Sequence, residues 1–260
     1  MFDLKRTALI GMVHLRPLPG APRWKGSMTK VLDAARRDAQ TLRKGGCDAL
    51  LVENMGDVPW LKGRVDPWTV AAMTLAVQAV QEQGIPVGVQ VLAAANRESL
   101  GIAAVTGAAF IRVEGFAYGH VADEGWIEAC AGPLLRERAA LGCEVEVWAD
   151  VRKKHAAHAV TADIPLDDLA AGTAFCGADA LIVTGGTTGQ PPAREDLADM
   201  RRPGLPVIVG SGISPHTAPA LGDADAWIVG SWLKENGDWR RPVDIQRVRT
   251  LYTFATLSGR

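Results

Sequence analysis

Eight short apolar, β-branched runs alternate with helix-patterned stretches along the whole chain, and nothing else in the sequence constrains the fold as strongly. The runs predict strands near Ala8–Val13, Ala49–Val52, Val87–Leu92, Phe110–Val113, Val145–Ala149, Leu181–Val183, Val207–Val209 and Trp227–Val229. The intervening patterns predict helices near Thr29–Lys44, Trp68–Gln83, Arg97–Thr106, Gly125–Leu141, Leu166–Phe175, Glu195–Met200 and Pro215–Leu221, with a last helix over about Val243–Leu257. Alternating strands and helices require parallel strands joined by crossovers. Eight such units predict an α/β fold closed as a (βα)8 TIM barrel, one domain over residues 1–260, and that length suits a barrel of ~250 residues.

An internal echo supports closure. Gly46–Val52, Gly107–Val113, Gly177–Val183 and Asp223–Val229 are variants of one phrase, each leading into an even-numbered strand. Gly84-Ile85-Pro86-Val87 and Gly204-Leu205-Pro206-Val207 are a second phrase, at the third and seventh strands. A period of two units is what a barrel interior layered from alternate strands produces. An open doubly wound sheet would need edge strands, and no run is polar or interrupted enough to serve as one.

The seventh strand ends in Gly210-Ser211-Gly212 and the eighth in Gly230-Ser231. After the seventh, Ser214 is placed as a helix N-cap with Pro215 in the first turn. Glycine lets backbone N–H groups approach a ligand closely, and a helix N-terminus behind them adds partial positive charge. One such turn reads as a plain tight connection. Two, late in a βα series, match the phosphate site that many barrels build there. Gly185 and Gly186, in the glycine- and threonine-rich stretch Thr184–Pro192, would supply further N–H groups.

Several predicted βα connections are long: 15–28, 55–67, 115–124, 151–165 and 185–194. Long loops on one face carry function or act as lids. All five histidines fall at that face, and three of the four cysteines near the other. The scattered cysteines read as reduced residues of a cytoplasmic protein. The formal net charge of -1 gives no reason to expect nucleic acid or an anionic membrane as partner. No apolar run is long enough for membrane insertion, and no signal peptide is expected at the N-terminus.

Gly11-Met12-Val13-His14-Leu15-Arg16-Pro17-Leu18-Pro19-Gly20-Ala21-Pro22 resembles the N-terminal signature of the BtpA family. So do Val52-Glu53-Asn54, Arg112–Phe116, Ala149–Ala156, Thr184–Pro192 and Gly230-Ser231-Trp232-Leu233-Lys234, so the resemblance spans essentially the whole chain. It implies a phosphate-binding TIM barrel. The family takes its name from photosystem I biogenesis. Related barrels occur in bacteria and archaea without photosystems, often beside sugar or nucleoside genes. The resemblance therefore fixes fold better than chemistry.

Candidate catalytic residues sit at the predicted strand ends. Glu53, Glu114 and Asp150 would raise one another's pKa around one mouth and suit proton transfer; otherwise they pair with neighbouring cations. If Glu114 and Asp150 face the axis, so do Arg112 and Glu146, which could form a buried ion pair below the site. His14 is a candidate acid or base, or a structural histidine. Lys154, chosen over Lys153, could anchor phosphate or, if desolvated, act as base or imine-forming nucleophile. Asn54, Gln90 and Asn96 could hold sugar hydroxyls, and Trp24, Trp60 and Trp232 could rim the mouth or a subunit contact. No cofactor is expected, but His14, Glu53, Asp150 and His155 leave a divalent metal as an open reading.

Together these features predict an enzyme acting on a small phosphorylated metabolite, such as a phosphosugar or a nucleoside-derived sugar phosphate. Isomerase, epimerase, lyase or aldolase chemistry would run by acid–base catalysis. The alternative is a non-catalytic BtpA-like biogenesis factor that binds a phospholigand or protein. A homo-oligomer is open in either case.

Overall fold

A computed structural model describes residues 6–185 and 191–257. Eight parallel strands close into a barrel, in the order β1 (Ala8–His14), β11 (Ala226–Val229), β10 (Val207–Val209), β9 (Ala180–Val183), β7 (Glu146–Asp150), β4 (Phe110–Val113), β3 (Val87–Gln90) and β2 (Ala49–Glu53). These are the eight predicted strands. Outside them run α1 (Met28–Gly45), α2 (Pro67–Gln81), α3 (Asn96–Thr106), α4 (Ala131–Leu141), α5 (Leu166–Phe175), α6 (Arg194–Arg201) and α7 (Ile245–Leu257). No helix among the described residues is long and apolar enough to cross a membrane.

Strand alternation sorts side chains into two cores. Ile10, Met12, Leu51, Phe110, Trp148, Ile182, Ile208 and Ile228 fill the barrel. Leu9, Val13, Leu50, Val52, Val147, Leu181, Val209 and Trp227 face the helices. Phe110 and Trp148 stack across β4 and β7 with ring centroids 3.7 Å apart, plugging the barrel beneath its carboxyl end. Residues two further along those strands, Arg112 and Asp150, therefore lie above the plug.

Two predicted helices are corrected. The N-terminal part of the predicted helix Gly125–Leu141 is instead β6 (Gly125–Ile127), paired antiparallel with β5 (His120–Ala122); β5 also pairs with β8 (Ala156–Ala157). Helix α4 begins only at Ala131, because Pro133 has no N–H to give and is tolerated only in a first turn. The hairpin tip carries Asp123 and Glu124 to the barrel mouth.

No α-helix follows β10 in place of the predicted Pro215–Leu221. Thr217 folds its hydroxyl back onto the Gly212 carbonyl (2.7 Å) and accepts from the Ser214 amide (2.9 Å), and one short 3-10 turn, Ala218–Leu221, follows. Ser214 is therefore not an α-helix N-cap. Ser231–Leu233, after β11, is likewise only a 3-10 turn. The macrodipole expected behind the glycine–serine turns is absent, leaving their backbone N–H groups and hydroxyls.

Candidate functional site

The carboxyl end of the barrel opens into a cavity of about 680 Å3. His14, Glu53, Glu114, Lys154, Gly210, Ser211, Gly212, Gly230 and Ser231 all line it. Of the other expected site residues, Asp150 lies just beneath, Gly185 is buried two residues past β9 without lining the cavity, and Gly186 lies outside the described residues.

Two glycines in the turns make room for functional side chains. A Cβ on Gly230 would stand 2.8 Å from His14 Cε1, and one on Gly210 would stand 2.6 Å from an Ile182 methyl and 3.2 Å from Arg112 Nη2. Gly212 holds φ at 77°, which L side chains rarely adopt. The Gly210 amide is committed to the Val183 carbonyl, while those of Ser211, Gly212 and Ile213 make no hydrogen bond among the described residues. Ser211 Oγ is also buried, without a partner among the described residues. Buried polar groups left open in this way are the exception in folded proteins.

The ionisable wall stands opposite in character. Arg112 donates two hydrogen bonds to Asp150, at 3.0 and 2.9 Å, with both side chains buried. This corrects the expected Arg112–Glu146 pair: Glu146, four residues below Asp150, accepts instead from Trp148 Nε1 at 2.9 Å. Bidentate pairing reserves the Asp150 carboxylate for Arg112.

Glu53 is held otherwise. Burial pushes its pKa up to about 7, against the pull of Arg112 and Lys154. Its Oε2 lies 3.6 Å from Nε2 of His14, whose own pKa is driven well below the usual histidine value by burial and by the cations Lys234 and Lys154. A neutral imidazole thus stands beside a carboxyl group poised between its two protonation states.

Glu114 accepts from the Ala94 amide (3.1 Å) and Gln90 Nε2 (3.4 Å) and faces Lys153 at 3.5 Å; burial raises its pKa. Lys153 also binds Glu124 at 3.2 Å, tying the hairpin tip to the mouth. Lys154 lines the cavity and makes no hydrogen bond or ion pair among the described residues.

The amides divide. Asn54 is spent on the Leu92 amide and Asp57, and Asn96 on the Glu114 carbonyl and Cys130. Gln90 keeps a buried Oε1 at the cavity with no partner among the described residues. Trp60 and Trp232 line the mouth, and Trp24 packs against the helix-facing core instead. Trp239, which sequence reasoning passed over, also lines the cavity and meets His14 edge-on with ring centroids 6.3 Å apart. Nothing in the local pattern around Trp239 marks it. Arg112 was legible as inward-facing by strand parity, but not as a cavity residue.

The four side chains considered for a metal do not converge. Among the described residues no group of three His, Cys, Asp or Glu side chains is placed to hold a metal ion.

A closed eight-stranded parallel barrel with a ligand-sized, ionisable cavity at its carboxyl end defines a TIM-barrel protein. Within that class the chain belongs to the BtpA family, whose model matches residues 5–256. The photosystem I biogenesis protein BtpA of Synechocystis is 40% identical over 247 residues, covering 92% of this chain and 85% of that one. An uncharacterized mitochondrial protein of Caenorhabditis elegans is 41% identical over 256 residues, covering 95% and 92%. An uncharacterized protein of Thermococcus kodakarensis is 41% identical over 260 residues, covering 97% of each.

Among solved structures, 3-hexulose-6-phosphate synthase superposes with a TM-score of 0.61 at 16% identity, covering 95% of this chain and 99% of that one. Phosphoribosyl anthranilate isomerase of Thermus thermophilus does so with 0.57 at 14%, covering 96% and 99%. At those identities the likeness is one of fold.

Proposed function

We propose that this protein is an enzyme acting on a small phosphorylated metabolite, a phosphosugar or nucleoside-derived sugar phosphate, by proton transfer next to a carbonyl. One observation carries the reading: N–H and O–H donors at the end of β10, without partners among the described residues, share a cavity with a carboxyl group whose pKa is near 7. The donors suit a compact anion even without a helix dipole. Gly210 and Gly230 shape those turns, and Ser211, Gly212 and Ser231 contact the phosphate. Gly185, two residues past β9 and not lining the cavity, is secondary.

Glu53 acts as base, and neutral His14 beside it donates to the developing oxyanion or passes the proton on. Glu114, held by Gln90, Ala94 and Lys153, is a second carboxyl in the same cavity. Asp150 positions Arg112, a role that replaces the base expected for it. Arg112 brings a fixed positive charge to the same wall, and Lys154 adds to it while protonated. Solved barrels of similar fold whose names include 3-hexulose-6-phosphate synthase and phosphoribosyl anthranilate isomerase are consistent with phosphosugar chemistry, though distant.

The test is a thermal-shift and turnover screen of sugar phosphates against the wild type, Ser211→Asp and Glu53→Gln. A ligand that binds should raise stability by ~2–4 kcal/mol at saturating excess. Ser211→Asp should abolish the shift, and Glu53→Gln should keep it while losing turnover. Absence of any phosphate-dependent shift overturns the reading.

The 40% identity to a photosystem I biogenesis protein favours a second reading, an assembly factor that keeps the barrel as a binding site. In that case Glu53→Gln would leave the cellular role intact.

A further inference from the structure

Three lysines at this end of the barrel are largely withdrawn from water, and they differ in one respect. Lys153 faces Glu124 at 3.2 Å and Glu114 at 3.5 Å. Lys234 is fully buried with its Nζ 2.6 Å from Asp38. Lys154 lines the cavity and has no such partner among the described residues. An ammonium locked between carboxylates stays protonated and cannot attack. An unpaired amine in a desolvated wall, with a guanidinium close by, gives up its proton more readily and becomes a nucleophile.

We propose that Lys154 is the residue that forms an imine with its substrate, and hence that the substrate carries an aldehyde or ketone carbonyl as well as a phosphate. The phosphate half rests on the function proposed above; the carbonyl half stands on Lys154 alone. Directions of ionisation agree with the geometry. Burial and then Arg112 lower the pKa of Lys154 against the opposing pull of Glu53, Asp150 and Glu114, whereas Lys153 is held above the ordinary lysine value. Asp150 fixes Arg112 in place by two hydrogen bonds, so the guanidinium is a permanent neighbour of that wall.

Imine formation also needs an acid, and the cavity holds one. The neutral amine adds to the carbonyl carbon, and the proton shed by the attacking nitrogen passes to the oxygen to give a neutral carbinolamine. Its hydroxyl leaves as water on receiving a proton from Glu53. The products are an iminium ion on Lys154, water and the Glu53 carboxylate. No oxidant or reductant enters. The iminium acidifies the adjacent C–H or weakens the next C–C bond, and Glu53, now ionised, is the base in the same cavity. A carboxyl group with a pKa of about 7 serves both halves of this exchange.

The experiment is reductive trapping. The full-length protein is incubated separately with glyceraldehyde 3-phosphate, dihydroxyacetone phosphate and unphosphorylated glyceraldehyde. It is then reduced with sodium borohydride, which adds hydride to the imine carbon and leaves a stable secondary amine. Peptide mass mapping compares Lys154 with Lys153 and with the exposed Lys25, Lys44 and Lys62. The expected result is an adduct on Lys154 about tenfold above every other lysine, lost in Lys154→Arg while that variant keeps the wild-type circular dichroism and melting temperature.

Preference for the phosphorylated aldehyde, with competition by inorganic phosphate, supports both halves. Equal labelling of Lys154 by both glyceraldehydes, without phosphate competition, supports the imine and overturns the phosphate site. Labelling that follows exposure, persists undiminished on Lys153 in Lys154→Arg, or spares Lys154 with all three probes overturns the imine.

Discussion

The guanidinium of Arg112 and the carboxylate of Asp150 meet through two hydrogen bonds, at 3.0 and 2.9 Å, directly above the stacked rings of Phe110 and Trp148. The pair links β4 to β7 at the floor of the cavity. Either residue alone would be a charge buried without compensation. Arg112→Met or Asp150→Leu should therefore each cost ~3–5 kcal/mol. The double variant should recover at least half of the summed loss, measured by urea unfolding as a double-mutant cycle. Strict additivity would show that the pair is not coupled.

Glu53 makes stability depend on pH in the direction opposite to an ordinary ion-paired carboxylate. In the fold it keeps its proton up to about pH 7, but in the unfolded chain only to the ordinary glutamate value, about 4.5. Between those values folding takes up a proton, so this group's contribution falls as pH rises and is level above pH 7. Glu53→Gln should remove that slope and be more stable than wild type at pH 8, by ~1–3 kcal/mol. Parallel melting curves of the two proteins from pH 4.5 to 8 check this.

Gly230 and Gly210 test how the two turns differ. In Gly230→Ala the new methyl meets the His14 ring, and in Gly210→Ala it meets Ile182 and Arg112. Each should cost ~1–3 kcal/mol from forced displacement. Gly230→Ala should in addition move the His14 NMR resonances, while Gly210→Ala should leave them in place.

Lys234 pins the connection after β11 to α1 through Asp38, whose carboxylate also receives the Val243 amide. Lys234→Met should destabilise by ~3 kcal/mol, because Asp38 loses its counter-ion. The same change should raise the pKa of His14, since Lys234 is one of the cations holding it down. An imidazole titration followed by NMR reads the second effect independently of the first.

The sequence by itself determined the barrel. Strand and helix periods are local properties, and eight βα alternations with a two-unit echo leave few closed solutions. The pattern also placed Glu53, Glu114, Asp150 and the glycine–serine corners at the carboxyl ends of their strands, and parity tied Arg112 to the face of Glu114; that this face is the inner one came from the structure.

Partnership was not legible, because it depends on barrel stagger and on distances between residues far apart in the chain. Arg112 stands 38 positions from Asp150, and Lys234 stands 196 from Asp38. Parity allowed Arg112 either carboxylate on the facing strand, and only the stagger chose Asp150 over Glu146. Thr217 turned a predicted helix into a closed loop with hydroxyl bonds that no periodicity announces. The contrast between two adjacent lysines, Lys153 paired and Lys154 open, was likewise settled by the β5–β6 hairpin, which brings Glu124 within reach of one and not the other.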